Sequence, residues 1–351
     1  MSPLALRARQ IHGNALRSVN NSLGSASTAV RDETFAAVVL LSLFEDITGE
    51  RSNLASSHVV GLQLLMKLRG EDQLNAVRGR SLFSYAFRQM QTDLLNLSGL
   101  AKFDLTWLIG VLDPSDGLQA LMYLIAKVSL FGQEIRQALT TREGIRNILT
   151  ETNLRSWTER GLQLDLELSR WHRTVPETWL PRHVQSQIGD AILTYQDVSI
   201  AGVWNFYRTI RIILQGVLLD ITTSKVSRSV CDRHLLIDLE NLIEIPPLQV
   251  IQEMISDTCK SIPFCLGDVD RLGNPVTVSI LSSESRYPRL RAAEAYELLW
   301  PLWFTTTCVE ATAEQVNQAR TALSRLGSMF GINLASGMAA GNEAYHVPFL
   351  R

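Results

Sequence analysis

The segment "DETFAAVVLLSLFED", within residues 30–47, most constrains the fold, because it has helical spacing and is apolar on nearly every helical face. Asp32 and Glu33 lie at its start, where acidic side chains stabilise the N-terminal end of a helix. A helix that is apolar all round has to be covered by other elements. The segment therefore predicts a central helix within a larger helical assembly.

Other segments repeat the helical period along most of the chain. We expect helices at residues 56–69, 80–97, 118–131, 132–172 (two, broken near "TREG"), 188–219 (a pair), 231–243, 290–308 and 312–340. The segment "VTVSIL" at 276–281 predicts a short β-like excursion, inside a loop at 266–289 that we expect to be flexible. The prediction is an all-α protein, with one domain of about ten to twelve helices over residues 1–351. A connector with two prolines predicts a boundary between two lobes near 173–183.

Composition narrows the function classes. The chain is 46% hydrophobic and 19% charged, which is typical of a folded protein. Its net charge of -2 and its pI near 6.3 argue against a dedicated nucleic-acid binder, which usually carries a basic stripe. The apolar run at residues 35–44 is about half of the ~20 residues that a membrane span needs. We expect a soluble intracellular protein without membrane partners.

The cysteines raise the question of a metal site or a nucleophile. Cys259 and Cys265 lie in "ISDTCKSIPFCLG", and Cys231 and His234 form a separate Cys-x-x-His pair. Neither pair has a second pair at zinc-ligand spacing, and the neighbouring Lys260 points elsewhere on a helix. Cysteine as a small core residue is the favoured interpretation. We expect no metal and no cofactor, and Pro263 to end a core helix.

The segment "WNFYRTIR" is the best candidate for a binding pocket. On a helix, Trp204, Arg208 and Arg211 share one face, so two guanidinium groups and an indole lie together. Such a face can line a pocket for an anion or a flat ring, or its arginines can bridge carboxylates of neighbouring helices. Serine-hydrolase, phosphate-loop and dinucleotide fingerprints are absent from the sequence.

Several ordered landmarks resemble the fungal-specific transcription factor domain, the helical regulatory region of fungal binuclear zinc cluster activators. The segment "SSHVVGLQLLMKLRG" is similar to a family block, carried here by His58, Gly61, Leu65, Arg69 and Gly70. The segment "WNFYRTIRIIL" is similar to a second, carried by Asn205, Tyr207, Arg208, Arg211 and Ile212. A third block matches Ser261, Ile262, Pro263 and Phe264, and "LLWPLW" and "GSMFGINLASGMA" resemble the closing helices. The resemblance covers roughly residues 14–340.

The chain departs from the family at the part that reads DNA. The family's zinc cluster needs six cysteines near the N-terminus, whereas this sequence has no cysteine before Cys231. We therefore expect no direct DNA binding by this chain. The resemblance implies a regulatory protein that acts through protein partners, transcription machinery or a small-molecule ligand in a fungal pathway, including secondary metabolism. It also implies nuclear localisation, with homodimerisation as an option.

Two alternatives remain open. One is a repurposed enzyme of fungal secondary metabolism that catalyses an isomerisation or cyclisation in an aromatic-lined helical pocket, which would place the protein in the cytoplasm. His58, Trp204, Arg208 and Arg211 are the residues to test for that activity. The other is a scaffold that only contacts partners. The regulator is favoured over the enzyme, because the family resemblance implies it and no catalytic constellation in the sequence opposes it.

Overall fold

The computed structural model describes residues 3–50, 57–90, 105–140, 150–186, 189–223, 242–276 and 292–341. Helices dominate these segments. Their bounds are α1 Pro3–Leu23, α2 Ala26–Ala29, α3 Asp32–Thr48, α4 Ser57–Arg69, α5 Val77–Gln89, α6 Thr106–Val111, α7 Gly117–Thr140, α8 Glu151–Arg170, α9 Val198–Thr223, α10 Pro247–Cys265, α11 Ala292–Tyr296, α12 Leu299–Thr307, α13 Ala313–Phe330 and α14 Asn333–Ala339. The all-α prediction is confirmed.

Local sequence explains several helix ends. Thr312 caps α13 and forms a capping box with Gln315, which satisfies the first free amides of the helix. Gly49 and Gly331 end α3 and α13 with a φ of 70°, a left-handed conformation that glycine adopts without strain. Pro247 opens α10 at a position where no amide donor is needed.

A two-stranded hairpin replaces the first part of the predicted helix pair at 188–219. Strands β1 (Arg182–Gln185) and β2 (Ala191–Thr194) pair antiparallel, with Arg182 opposite Thr194 and Gln185 opposite Ala191. The helix prediction was wrong here because β2 buries Ile192 and Leu193 against α10, a tertiary contact that outweighs local helical spacing. The helix of the pair that does form is α9.

Helix α9 is the centre of the fold. Nearly every residue from 200 to 218 is buried, and the helix packs against α7, α8, α10, α11 and α12. Helix α3, predicted to be central, lies instead nearer the surface, and its Leu40 and Ile47 are exposed. The prediction of full coverage was wrong for the outer face of α3, because the structure places its neighbours α1, α4, α5 and α14 elsewhere around the helix.

A buried polar group joins α3, α5 and the residues that end α11. The Tyr296 hydroxyl donates to the Asp46 carboxylate and lies 3.0 Å from Gln89 Oε1. Next to it, Arg88 Nη1 is 3.1 Å from Glu297 Oε1. Burial raises the pKa of the Glu297 carboxyl, and the Arg88 charge opposes that rise. These contacts connect helices that are about 200 residues or more apart in the chain.

Other boundary predictions have mixed outcomes. Helix α10 does not end at Pro263 but continues through it to Cys265, so that prediction was wrong by two residues. Beyond α10 the chain turns, with an isolated bridge between Val269 and Pro275. Residues 277–289 of the predicted loop lie outside the described residues, and they include all but the first residue of the β-like excursion predicted at 276–281. Most of the helix predicted at 231–243 lies outside them as well. The lobe boundary near 173–183 stays a prediction.

No helix among the described residues is long and apolar enough to cross a bilayer.

Candidate functional site

A cleft of about 830 Å³ opens between α10, α13, the β hairpin and the turn that follows α10. This volume is within the roughly 300–1,000 Å³ that is usual for small-molecule sites. Ile262 and Pro263 give one wall an apolar surface, while α13 presents Asn317 and Thr321 from the other. The cleft therefore combines apolar surface from α10 with a polar wall on α13, which also carries the charged Glu314 and Arg325.

The two basic side chains that line this cleft are both paired with carboxylates. Lys260 Nζ lies 3.2 Å from Asp257 Oδ1. The Arg325 guanidinium donates to both oxygens of Asp268 at 2.6 and 2.8 Å, and this pairing raises the pKa of Arg325. Because these cations are already engaged, the cleft suits an uncharged amphipathic ligand better than an anion.

Cys259 also lines the cleft, but its thiol is not activated. Burial raises its pKa to about 11, and the nearby Glu314 adds to that rise. Cys265 points to the other side of α10, is fully buried, and has a pKa raised by burial to about 12. A nucleophilic cysteine needs a lowered pKa, so neither thiol has this property.

Among the described residues, Cys259 and Cys265 have too few further potential ligands beside them to form a metal-binding group. Within the described segments, no group of three or more His, Cys, Asp or Glu side chains is placed to hold a metal ion. Cys231 and His234 lie outside the described residues.

Behind the cleft, the opposite face of α10 meets α9 through a buried polar centre. Arg208 Nη1 donates to Asn205 Oδ1 at 2.8 Å, and Asn205 Nδ2 donates to Ser261 Oγ at 3.0 Å. Ser261 Oγ in turn donates to the Thr258 carbonyl at 2.7 Å. This chain of hydrogen bonds fixes the orientation of the Asn205 amide and connects the Arg208 guanidinium to the backbone of α10.

Arg208 is surrounded by aromatic rings and one carboxylate. Its guanidinium carbon lies 5.8 Å from the Trp204 ring and 5.9 Å from the Tyr195 ring, and its Nε is 3.9 Å from Asp257 Oδ2. Burial raises the pKa of Tyr195 to about 12, partly offset by the Arg208 charge. Asp257 therefore lies between Arg208 in the core and Lys260 at the cleft.

Arg211 faces a different helix. Its guanidinium donates to both oxygens of Asp165 on α8, at 2.9 and 3.0 Å. Burial alone lowers the pKa of Arg211, but the hydrogen bonds and charge of Asp165, together with Tyr207, more than offset burial, so the pKa is raised. The sequence left two interpretations of Arg208 and Arg211: they line a ligand pocket, or they bridge carboxylates of neighbouring helices. The structure shows the second arrangement, with Asp257 near Arg208 and Asp165 paired with Arg211.

The aromatic residues near the arginines pack on one another. Trp171 stacks on Tyr207 at 5.3 Å and meets Trp204 edge-on at 5.1 Å. The Trp204 indole donates to the Trp179 carbonyl at 2.7 Å. Neither Trp204 nor the two arginines line the 830 Å³ cleft or the two smaller cavities described, of about 530 and 360 Å³.

His58 lies apart from the other three candidates. Its Nε2 is 3.3 Å from Glu45 Oε1, at the packed pair of helices α3 and α4. The structure thus brings together Trp204 and Arg208, places Arg211 one turn along the same helix, and leaves His58 elsewhere. Sequence reasoning missed Tyr195 and Asp165, which carry no local signal. It did single out Asn205 and Ser261, through the family resemblance.

Comparison with known proteins gives a partial match to a fungal protein. A stretch of 76 residues is 33% identical to Uncharacterized protein AN5342 of Emericella nidulans, covering 22% of this chain. The match covers 16% of that relative, so it spans about a sixth of the relative's length. No family model matches the chain, and no solved structure matches it.

Proposed function

We propose that this chain is the ligand- and partner-sensing helical domain of a transcription-factor-like regulatory protein, acting on a fungal metabolic pathway, including secondary metabolism. The proposal rests on the resemblance of ordered landmarks to the fungal-specific transcription factor domain. The partial likeness to a fungal protein is compatible with it. Nuclear localisation and action through transcription machinery belong to the same proposal.

The observation that carries the proposal is that helix α10 contacts both the cleft and helix α9. One face of this helix lines the cleft with Cys259, Lys260 and Pro263, and the other holds Ser261 against the buried polar centre on α9. A ligand in the cleft would press on the same helix that connects to the most buried helix of the domain. Binding energy at the cleft can therefore bias the packing of α9 and α10, which is what a ligand-responsive domain requires.

Two family-like segments meet at this interface. Asn205 comes from "WNFYRTIRIIL" and Ser261 from "SIPF", and their side chains are hydrogen-bonded across 56 positions of sequence. The landmarks that carry the resemblance therefore include two residues that contact each other at the centre of the domain. This contact supports the resemblance as more than a coincidence of apolar spacing.

The proposed domain does not read DNA by itself. No cluster of six cysteines is present in these 351 residues, and the net charge of -2 gives no electrostatic basis for phosphate binding. The regulatory output would therefore pass through a protein partner.

The enzymatic alternative gains no specific support from the geometry. Trp204 is packed and hydrogen-bonded in the core, Arg208 is engaged with Asn205, and Arg211 is engaged with Asp165. No aromatic side chain lines the described part of the large cleft. The isomerase or cyclase therefore remains a prediction from the sequence.

A genetic experiment separates these functions. The gene would be deleted and then restored as the wild type, as Thr321→Trp, which fills the cleft, or as Ser324→Trp. Ser324 is an exposed residue of the same helix that does not line the cleft, so it is the matched control. Transcript levels and metabolites are measured in each strain, and the unfolding midpoints of both purified variants confirm that they fold.

We expect deletion of the gene to change the transcript levels of a coherent gene set. The Ser324→Trp variant should restore these transcript levels, whereas the Thr321→Trp variant should not. A deletion strain that loses one metabolite and accumulates its precursor, with transcripts unchanged, would show an enzyme instead. Tight, sequence-specific DNA binding by the purified chain in a mobility-shift assay at physiological salt would also contradict the proposal.

A further inference from the structure

Exposed apolar side chains are concentrated at the N-terminal end of the described chain. Most of the large apolar residues that are more than about a third exposed precede residue 78, whereas the helices around α9 expose few. Single exposed apolar residues are normal on a protein surface, but a contiguous group usually marks an interaction site.

Helix α4 carries the clearest such group. Val60, Leu64 and Leu68 are 46%, 66% and 57% exposed and are spaced four residues apart, so they form one stripe along the helix. The opposite side of α4 is buried in the core through Leu62 and Met66. Helix α4 is therefore apolar on two sides, and the described residues cover only one.

The stripe continues past the end of α4. Leu68 and Val30 line a pocket of about 360 Å³ together with Ala76, and the charged side chains of Asp32, Arg69 and Asp72 also line it. Val77, the next residue in the chain, is 72% exposed. Val30, Val60, Leu64, Leu68 and Val77 are together called the α4 surface.

We propose that the α4 surface is the interface of a symmetric homodimer, in which α4 of one copy crosses α4 of a second copy antiparallel. In this arrangement Leu64 lies on the two-fold axis against Leu64 of the second copy. Val60 of each copy then lies opposite Leu68 of the other. The spacing of the stripe is symmetric about Leu64, so an antiparallel crossing makes each Val60–Leu68 contact twice, which is the reciprocal pattern of an isologous interface.

Backbone shape and charge fit this arrangement. Gly61 adjoins the stripe, and a Cβ atom added to it would meet no heavy atom within 4 Å, so the second helix can approach closely there. Within α4, the exposed Lys67 lies beside the stripe. With Leu64 on the axis, Lys67 lies opposite Gly61 of the second copy, and the two lysines are at opposite ends of the contact.

The area also matches what a dimer needs. The five side chains of the α4 surface together expose roughly 500 Å², near the upper end of the largest apolar patch on a typical monomer. A standard interface buries about 800 Å² per partner, of which about 56–65% is apolar, or roughly 450–520 Å². The α4 surface therefore supplies the apolar share of one standard interface.

Sedimentation of the purified chain tests the dimer. We expect the wild type to sediment at twice its 39.2 kDa mass at micromolar concentration, and Leu64→Glu to weaken the dimer about 100-fold or more. The matched control is Val309→Glu, since Val309 is 64% exposed and lies far along the chain between α12 and α13. The control should dimerise like the wild type, and circular dichroism checks that both variants fold.

A cysteine introduced on the axis tests the geometry directly. Leu64→Cys should form an intermolecular disulfide under mild oxidation, because two copies of residue 64 meet at the axis. Leu40→Cys, at a 62% exposed position on α3 outside the α4 surface, should not exceed the background of the parent chain. A wild type that stays monomeric up to about 100 µM overturns the proposal, as does a dimer that Leu64→Glu leaves intact or a Leu64→Cys variant that does not crosslink.

Discussion

Replacing Asn205 by Leu is the sharpest test of the buried polar centre between α9 and α10. Asn205 is fully buried, accepts from Arg208 at 2.8 Å and donates to Ser261 at 3.0 Å. Leucine is of similar size but can do neither, so it leaves the buried guanidinium without its nearest acceptor.

The size of the effect follows from these two contacts. A hydrogen bond to a charged group contributes about 1.5–3 kcal/mol, and the neutral one to Ser261 about 1 kcal/mol. Asp257, 3.9 Å from Arg208 Nε, remains as a partial partner. We therefore expect Asn205→Leu to lower the free energy of unfolding by about 2.5–4 kcal/mol, measured as the shift of the urea midpoint at constant m-value.

The double variant Asn205→Leu with Arg208→Met shows whether a stranded charge causes the loss. Removing both polar partners is much less costly than removing one, so we expect the double variant to be more stable than Asn205→Leu alone, by about 1–2 kcal/mol. Thr222→Val on the same helix is the control. Thr222 is buried but bonds only to carbonyls of its own helix, so the loss should stay below about 1 kcal/mol.

Two results would refute this reasoning. One is an Asn205→Leu variant no less stable than Thr222→Val. The other is additivity: the double variant is less stable than Asn205→Leu by the same free energy that Arg208→Met alone costs the wild type. Additive losses would mean that the two side chains act independently.

Three further predictions concern packing, thiol chemistry and pH. Gly327→Ala should lower the free energy of unfolding by about 1–3 kcal/mol, because the added Cβ would clash with the Ser336 hydroxyl. Gly110→Ala is the control: a Cβ added there meets no heavy atom within 4 Å, so this variant should not destabilise the protein. The rate at which iodoacetamide alkylates Cys259, followed by peptide mass mapping, should rise about 100-fold between pH 7.5 and 9.5, because the pKa of this thiol is about 11. A rate that levels off near pH 9 would mean that Cys259 has an ordinary thiol pKa. The raised pKa of Glu297 means that the folded state keeps this proton to higher pH than the unfolded state, so its contribution to stability falls as pH rises above about 4.3 towards the folded pKa. Between pH 4 and pH 7, the free energy of unfolding should therefore fall less for Glu297→Gln than for the wild type. Parallel curves of unfolding free energy against pH would contradict a raised pKa at Glu297.

The sequence determined the fold class and most helices because helical periodicity, capping residues and glycine stops are local signals. Helix α4 at Ser57–Arg69 follows from such signals alone. The helix predicted over 312–340 is broken at Gly331 into α13 and α14, so this glycine stop was missed. The same signals failed at β2, where contact with α10 decides the conformation, and at α3, where composition indicated burial on all faces but the packed neighbours leave Leu40 exposed.

The candidate site depends on how the helices pack against one another. The sequence placed Asn205 and Ser261 in separate motifs, but their hydrogen bond depends on how α9 crosses α10, and the pairing of Arg211 with Asp165 depends likewise on α8. The cleft is formed by α10, α13 and the hairpin, none of which signals a cavity by itself. Periodicity tells which face of a helix is apolar, whereas the choice of the element that covers that face depends on the packing of the whole chain. For α4, that choice leaves an apolar face that a second copy of the chain can cover.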